Sequence, residues 1–292
     1  MTKSLNICND ISINQAKYKT LADDLYYKQF GQRINWLNPK DLNEKINWLA
    51  FNTDTSLWSK LTDKYLMRQH IISKGYSNIL PKLYGVWENV SEIDFETLPN
   101  KFVLKCNHDS GSVVIVNNKE KCNIDKIKKH LASFISAPFG IKTAEPHYIG
   151  IKRIIIAEEL LENDSKLSDS MIEYKFWSFY GKSEYCLVCY DTTNWLNKKT
   201  GIYRINTWKL CEEKMNNHDK QVAKYIHKPK FLNEMLEIIL YFTKDFPQCR
   251  VDFYETNKKV YFSEFTFTSN CGRIKNFTPD FLVELGNKII LK

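Results

Sequence analysis

At 292 residues the chain can bury a large core and holds two or three subdomains rather than a string of independent domains. Charged residues at 26% and apolar residues at 43% fit an ordinary globular protein and leave no room for a low-complexity chain. Lys and Arg exceed Asp and Glu by 42 to 34; the resulting +8 favours anionic partners such as nucleotides or acidic sugars, and its dispersal without a dense basic block does not single out nucleic acid.

Residues 1–17 are polar and lack the apolar centre of a signal peptide, and no apolar run approaches the roughly 18 residues of a membrane span. A cytoplasmic location is the expectation. The eight cysteines fit it, because most lie within apolar strand-like runs rather than at framework spacings. Cys186 and Cys189 form a C-x-x-C, but residues three apart in a strand face opposite ways and no second pair completes a zinc set.

Residues 1–75 read as helical. A helix starts at Asn38-Pro39 with Leu42, Ile46 and Leu49 on one stripe, and another runs from a Thr62 cap to Gly75. Pro81 and Pro99 bracket a connecting stretch. Residues 101–106 read as a strand whose hairpin partner is 113–116, joined by a loop of small and polar residues, 107–112. A helix over 125–136 follows, then a strand over 152–161 that runs into a loop, and two strands flank Gly181. Residues 203–210 are strand-like, and a patterned helix carries Leu232, Met235, Leu236, Ile239 and Phe242. The fold class is α+β with antiparallel hairpins. Three regions are expected: a helical part at 1–78, a first lobe at 79–157 and a second lobe at 158–292.

The last hairpin carries the sharpest signal. Two runs rich in aromatic and β-branched residues, 249–254 and 260–266, flank a polar turn. A turn centred on Lys258 sets Asp252 opposite Glu264 and Arg250 opposite Thr266, all on one face. Opposed carboxylates with Cβ atoms about 5 Å apart repel. A chain keeps such a pair most readily around a divalent cation; a solvated acidic strand face is the plain alternative.

Four segments then line up in order: Asp63-Lys64 with Gly75 and Pro81 beyond; Lys105 before the small-residue loop; the apolar strand that ends in Glu158, Glu159 and Glu162; and Arg250-x-Asp252 with Glu264-x-Thr266. This order resembles the ATP-grasp superfamily, which includes D-alanine–D-alanine ligase and biotin carboxylase. More closely, the strings Leu42-Asn43-Glu44-Lys45-Ile46-Asn47-Trp48-Leu49, Phe102-Val103-Leu104-Lys105-Cys106-Asn107-His108, Ala157-Glu158-Glu159 and Phe246-Pro247-x-x-Arg250-Val251-Asp252 resemble the TupA-like (teichuronopeptide-type) branch. The likeness runs over about residues 26–285.

The resemblance implies two α+β lobes around a nucleotide, with ATP and Mg²⁺ as cofactors. Lys64 and Lys105 would meet phosphate oxygens, and Ser110, Gly111 and Ser112 would cover the triphosphate. Glu158 would accept from the adenine amino group, with backbone groups near Glu159 and Leu161 reading the ring edge. Glu162 is a candidate for the ribose, or else an exposed loop carboxylate. His108 either donates to a phosphate or packs the loop. Asp109 stands where family members commonly have Gly, and Thr266 where the superfamily often has Asn. Asp252, Glu264 and Thr266 would hold Mg²⁺, Arg250 and Lys105 would neutralise the transferring phosphoryl group, and Arg273 and Lys275 would anchor a substrate carboxylate. The implied activity is ligation of an amino acid to an acidic sugar of a surface polysaccharide, through a substrate acylphosphate. A glycosyltransferase of polysaccharide assembly and a non-catalytic nucleic-acid-binding module are the alternatives.

Overall fold

In a computed structural model, which describes residues 2–163, 166–193, 198–216 and 225–291, the chain opens with α1 (Thr2–Phe30) and α2 (Leu42–Asn52). The sequence places the α2 start at Pro39, but the helix begins three residues later. Asp41 caps it by accepting from the Glu44 backbone N–H at 2.9 Å, and the Glu44 carboxylate turns back to accept from the Asn35 and Lys40 N–H groups at 2.9 and 2.7 Å. Helices α3 (Ser56–Thr62) and α4 (Lys64–Ser73) follow. Asp63 separates them, and it rather than Thr62 is the α4 cap: its carboxylate accepts from the Tyr65 and Leu66 N–H groups, while the Thr62 hydroxyl donates back to Trp58 O.

The first sheet has the order β1-β4-β2-β3 and is antiparallel throughout, with β1 (Leu83–Trp87), β2 (Phe102–Cys106), β3 (Val114–Val116) and β4 (Ile155–Glu158). β1 lies in the stretch read from sequence as a connection. Gly85 hides it, being placed where the Trp87 ring folds back so closely that a Cβ would sit 2.2 Å from ring carbon. Helix α5 (Ile124–Ser136) covers one face, where Phe102, Leu104, Cys106, Ile155 and Ala157 pack with Ile127 and Leu131. Alternation sends Val103, Lys105, Ile156 and Glu158 to the other face.

The second sheet runs β10-β9-β5-β6-β7-β8, from β5 (Glu173–Ser178), β6 (Tyr185–Tyr190), β7 (Lys199–Arg204), β8 (Lys209–Leu210), β9 (Cys249–Glu255) and β10 (Val260–Thr266). β5 and β6 flank Gly181 as expected, and Tyr180 and Gly181 both take positive φ in the connecting turn (50° and 79°). The expected single strand over 203–210 breaks instead: β7 ends at Arg204 and Trp208 enters the left-handed region at φ 51°. Helix α6 (Leu232–Thr243) lays Met235, Ile239 and Phe242 in one core with Phe253, Phe262 and Phe265 of the hairpin. Helix α7 (Pro279–Gly286) closes the chain against α2, where Lys45 donates to Gly286 O and Ile289 O. Cys186 and Cys189 are both buried free thiols. Among the described residues no helix is long and apolar enough to cross a membrane.

Candidate active site

The expected pairs of the last hairpin form, but by a route the sequence does not show. Near the turn, Val260 pairs with Glu255 and Phe262 with Phe253; a bulge at Ser263 then shifts the register by one residue. That shift is what sets Glu264 opposite Asp252 and Thr266 opposite Arg250. The gap between the carboxylates is filled by protein cations. Asp252, fully buried, accepts from Arg250 Nε and Nη2 (2.7 Å each) and from Lys175 Nζ (2.6 Å). Arg250 also reaches Glu264 Oε1 at 2.7 Å and the Thr266 hydroxyl at 3.0 Å, and its guanidinium lies over the Trp177 ring. Burial opposes the Asp252 charge, yet Arg250 and Lys175 together outweigh it and hold the carboxyl below its ordinary pKa. Lys175 is likewise held charged against burial by Asp252 and by Glu173, 2.7 Å away.

A second charged cluster faces this one from the first sheet. Glu158 at the end of β4 is buried, and its oxygens pair with Lys105 on β2 and with Arg68 of α4 at 2.7 Å. Arg68 also donates to Pro81 O at 2.7 Å, so one guanidinium ties helix, loop and strand together. Burial pushes the Glu158 carboxyl up, but its two cations outweigh that and hold it below the usual range. Lys64 occupies the first turn of α4, the positive end of the helix dipole, where a cation is disfavoured unless an anion is near. Its ammonium donates to Asp109 O, and burial depresses its pKa; Glu264 of the second sheet and Lys105, Asp109 and Glu158 of the first all act on its charge. Lys64 therefore stands within electrostatic reach of Glu264 on the second sheet and of Lys105 and Glu158 on the first.

Asn107 holds the base of the loop after β2. Its backbone N–H donates to Ile154 O and its carbonyl accepts from Lys64 N–H, while its side chain accepts from Ile154 N and donates to Lys152 O. Asp109 organises the tip: its Oδ1 accepts from the Gly111 and Ser112 N–H groups at 3.2 Å and from the Ser112 hydroxyl at 2.6 Å. Ser110 and Gly111 are exposed and Ser112 is buried. Asp109 thus supplies the anion for a turn that a glycine would leave open. His108 is 2% exposed and lies beside Cys106 and Asp109, on the α5 side of the sheet.

The remaining expected residues scatter more widely. The Glu159 N–H donates to Lys82 O and its carboxylate accepts from Lys82 N, so the segment after β4 is stitched to the entry of β1. Leu161 is half-buried. Glu162 is exposed and pairs with Lys101 at 2.9 Å. Arg273 donates to Cys271 O and Thr143 O, next to the buried Glu145, whose carboxyl burial pushes up. Lys275 is exposed. The connecting turn is left-handed at three successive residues, Asn270, Cys271 and Gly272 (φ 48°, 55° and 65°), and Asn47 of α2 grips Gly272 O.

Sequence reasoning missed Arg68, Lys175 and Glu173. Arg68 stands four residues after Lys64 on the same helix face, and Lys175 is a charge amid an apolar strand, paired in register with Asp252. Both signals were readable only with the partner strand known.

The donor set suits Mg²⁺ in kind. Asp252 and Glu264 offer hard carboxylate oxygens and Thr266 a neutral one, Glu264 is 35% exposed, and Glu173, Asp252 and Glu264 outnumber their contacts Lys175 and Arg250 by one charge. These three residues would hold the ion, which would supply charge neutralisation for phosphate oxygens.

Two antiparallel sheets, one with a strand lysine ahead of a small-residue loop and the other with an Arg-x-Asp and Glu-x-Thr hairpin, fit the ATP-grasp class. The chain belongs to the TupA-like ATPgrasp family, whose sequence model matches residues 44–290. No protein of curated function matches it. Among solved structures it is similar to D-alanine–D-alanine ligase from Helicobacter pylori (14% identity, 84% of this chain and 62% of that one, TM-score 0.41). It is also similar to the Bacillus anthracis ligase (14%, 86% and 69%, 0.42) and to a RimK domain ATP-grasp protein from Sphaerobacter thermophilus DSM 20745 (13%, 86% and 78%, 0.42). The chain spans about 62% of the length of the Helicobacter pylori enzyme.

Proposed function

We propose that the protein is an ATP-dependent carboxylate–amine ligase that joins an amino acid to an acidic sugar of a surface polysaccharide or its precursor. The observation that carries this reading is the position of Lys64 on α4, within reach of charges from both sheets, Lys105 and Glu158 of the first and Glu264, the partner of Arg250, of the second. Such a set has little covalent chemistry to offer; it positions and neutralises phosphates. In the reaction a substrate carboxylate oxygen bonds to the terminal phosphorus of ATP as the bond to ADP breaks. The amine then bonds to the carbonyl carbon, phosphate leaves and the amine loses a proton.

Lys64, Lys105 and Arg250 neutralise the phosphoryl oxygens, and the Gly111 and Ser112 N–H groups take a phosphate oxygen when Asp109 gives way. Glu158 serves in the free protein by holding Lys105 and Arg68. Lys275 is exposed, and Arg273 beside the left-handed turn is the stronger anchor for a substrate carboxylate. The net +8 suits an anionic sugar.

The test is a screen of uronic acids against amino acids with ATP and Mg²⁺, reading ADP and phosphate. Release that requires both substrates is expected. Consumption of a sugar nucleotide with no ATP turnover would replace the ligase by a glycosyltransferase. In the same assay Lys105→Ala should lose a charge-assisted phosphate contact of about 1.5–3 kcal/mol, roughly a 10- to 150-fold loss of ATP affinity. Unchanged affinity in the folded variant would remove Lys105 from the site.

A further inference from the structure

We infer that Cys106, His108 and Asp109 form a binding site for a thiophilic divalent cation, Zn²⁺, beneath the loop that follows β2. Cys106 Sγ, one His108 ring nitrogen and one Asp109 carboxylate oxygen lie within 4.8 Å of one another, and all three residues are buried. Two of them carry polar atoms left without partners. No hydrogen bond of good geometry reaches either His108 nitrogen among the described residues, although the residue is 2% exposed and the Ala137 backbone lies close to the ring; Asp109 is 5% exposed, and its Oδ2 has no partner either. A buried polar atom without a partner costs about 1–3 kcal/mol. An imidazole and a carboxylate oxygen without partners, brought to the same buried thiol, suggest one missing common partner that takes a single ring nitrogen.

The chemistry selects the partner. Thiolate, imidazole and carboxylate are the ligand types of zinc, and they form a three-ligand set with one open position. A hard ion such as Mg²⁺ has no use for the sulfur. Tetrahedral Zn²⁺ with bonds of about 2.0–2.3 Å sets its ligands roughly 3.5 Å apart, so the present spacing closes by about an ångström through side-chain rotation. Burial and the Asp109 charge keep Cys106 protonated in the free protein, with its pKa pushed up to about 11, and a bound metal removes that proton. Lys64 and Arg153 stand near enough to His108 to oppose a second positive charge, and the thiolate and carboxylate supply two negative ones to offset it.

Geometry also separates this site from the phosphate side of the loop. Cys106 belongs to the α5-covered core, whereas Lys105, its neighbour in the strand, points to the opposite face. Asp109 spans the two, because Oδ1 holds the turn of Gly111 and Ser112 while Oδ2 is left for the ion. An ion bound there pins the turn from below.

The test uses the whole protein, stripped of metal by a chelator and titrated with Co²⁺ as a spectroscopic stand-in for Zn²⁺. One equivalent of Co²⁺ should give a thiolate-to-cobalt charge-transfer band that one equivalent of Zn²⁺ bleaches and excess Mg²⁺ does not. Cys106→Ser should abolish the band, and His108→Ala should weaken binding by at least about tenfold. Cys186→Ser/Cys189→Ser should keep the band. The stoichiometry and spectrum of the unaltered protein stand even if the loop variants fold poorly. No band in the wild-type protein, a band that survives Cys106→Ser, or displacement by Mg²⁺ would each overturn the assignment. None of these readouts depends on ligase turnover.

Discussion

Asp252→Asn tests what holds the hairpin together. From sequence alone the pair of Asp252 and Glu264 is one of like charges, and relieving it should leave the free protein as stable or slightly more so. The structure reverses that expectation for one member. Asp252 is fully buried and receives three hydrogen bonds, two from Arg250 and one from Lys175. An Asn there offers one accepting oxygen, and its amide nitrogen turns a donor toward donors. Arg250 keeps Glu264 and Lys175 keeps Glu173, but both lose the anion they share. Removing one partner from a buried ion pair is worth about 3–5 kcal/mol, so Asp252→Asn should destabilise by that much. Glu264 is 35% exposed and shares a single oxygen with Arg250 and Thr266, so Glu264→Gln should cost no more than about 1 kcal/mol. Equilibrium urea unfolding of both variants measures the difference, and ADP release from the same preparations reports phosphoryl transfer, which should fall by orders of magnitude in both. An Asp252→Asn protein as stable as the parent would refute the claim that buried cations, rather than repulsion, dominate the free hairpin.

Arg68→Met should destabilise by about 3–5 kcal/mol because it leaves Glu158 buried with one cation and Pro81 O unpaired; adding Glu158→Gln should recover part of the loss, and a purely additive double variant would deny the coupling. His147 is buried, with no partner on either nitrogen among the described residues, and burial lowers its pKa to about 3 from 6.5. The unfolded chain therefore takes up a proton near pH 6.5 that the folded one refuses, so the stability His147 contributes is whole above 6.5 and drains as pH falls toward 3. That amounts to about 2 kcal/mol at pH 5, and His147→Phe should flatten the wild-type decline in unfolding free energy; parallel pH curves would exclude the residue. Cys186→Ser and Cys189→Ser should lower stability modestly by burying a hydroxyl without changing turnover, and loss of a bound metal on either change would contradict the packing role.

How much was readable beforehand differs between local and tertiary features. The hairpin, the Lys105 strand, α5 and α6 were legible because periodicity and composition act within one element. The β1 strand was not, since Gly85 removes a side chain that the returning Trp87 ring replaces. The pairing of Asp252 with Glu264 was foreseen with the right partners, although the bulge that produces it leaves no mark in a run as uniform as Val260 to Thr266. Ion partners were the least legible. Arg68 and Lys175 reach Glu158 and Asp252 from 90 and 77 residues away, and such pairings exist only after the lobes have formed. The like-charge reasoning failed at that point.

The turn at 109–112 brings its own counter-ion. Asp109 Oδ1 already occupies the N–H groups of Gly111 and Ser112, the ones that would meet a phosphate in the proposed ligase. Under that reading, nucleotide capture would be an exchange of one anion for another, not the filling of an empty socket. Affinity becomes a difference between two competing occupants, so a weak phosphate grip need not mean a badly made loop. The shape of the turn also no longer depends on the nucleotide, because the free protein keeps it folded around its own carboxylate. A glycine at 109 would remove the competitor and the template together, trading a ready-made turn for an open one that must be ordered at each binding event.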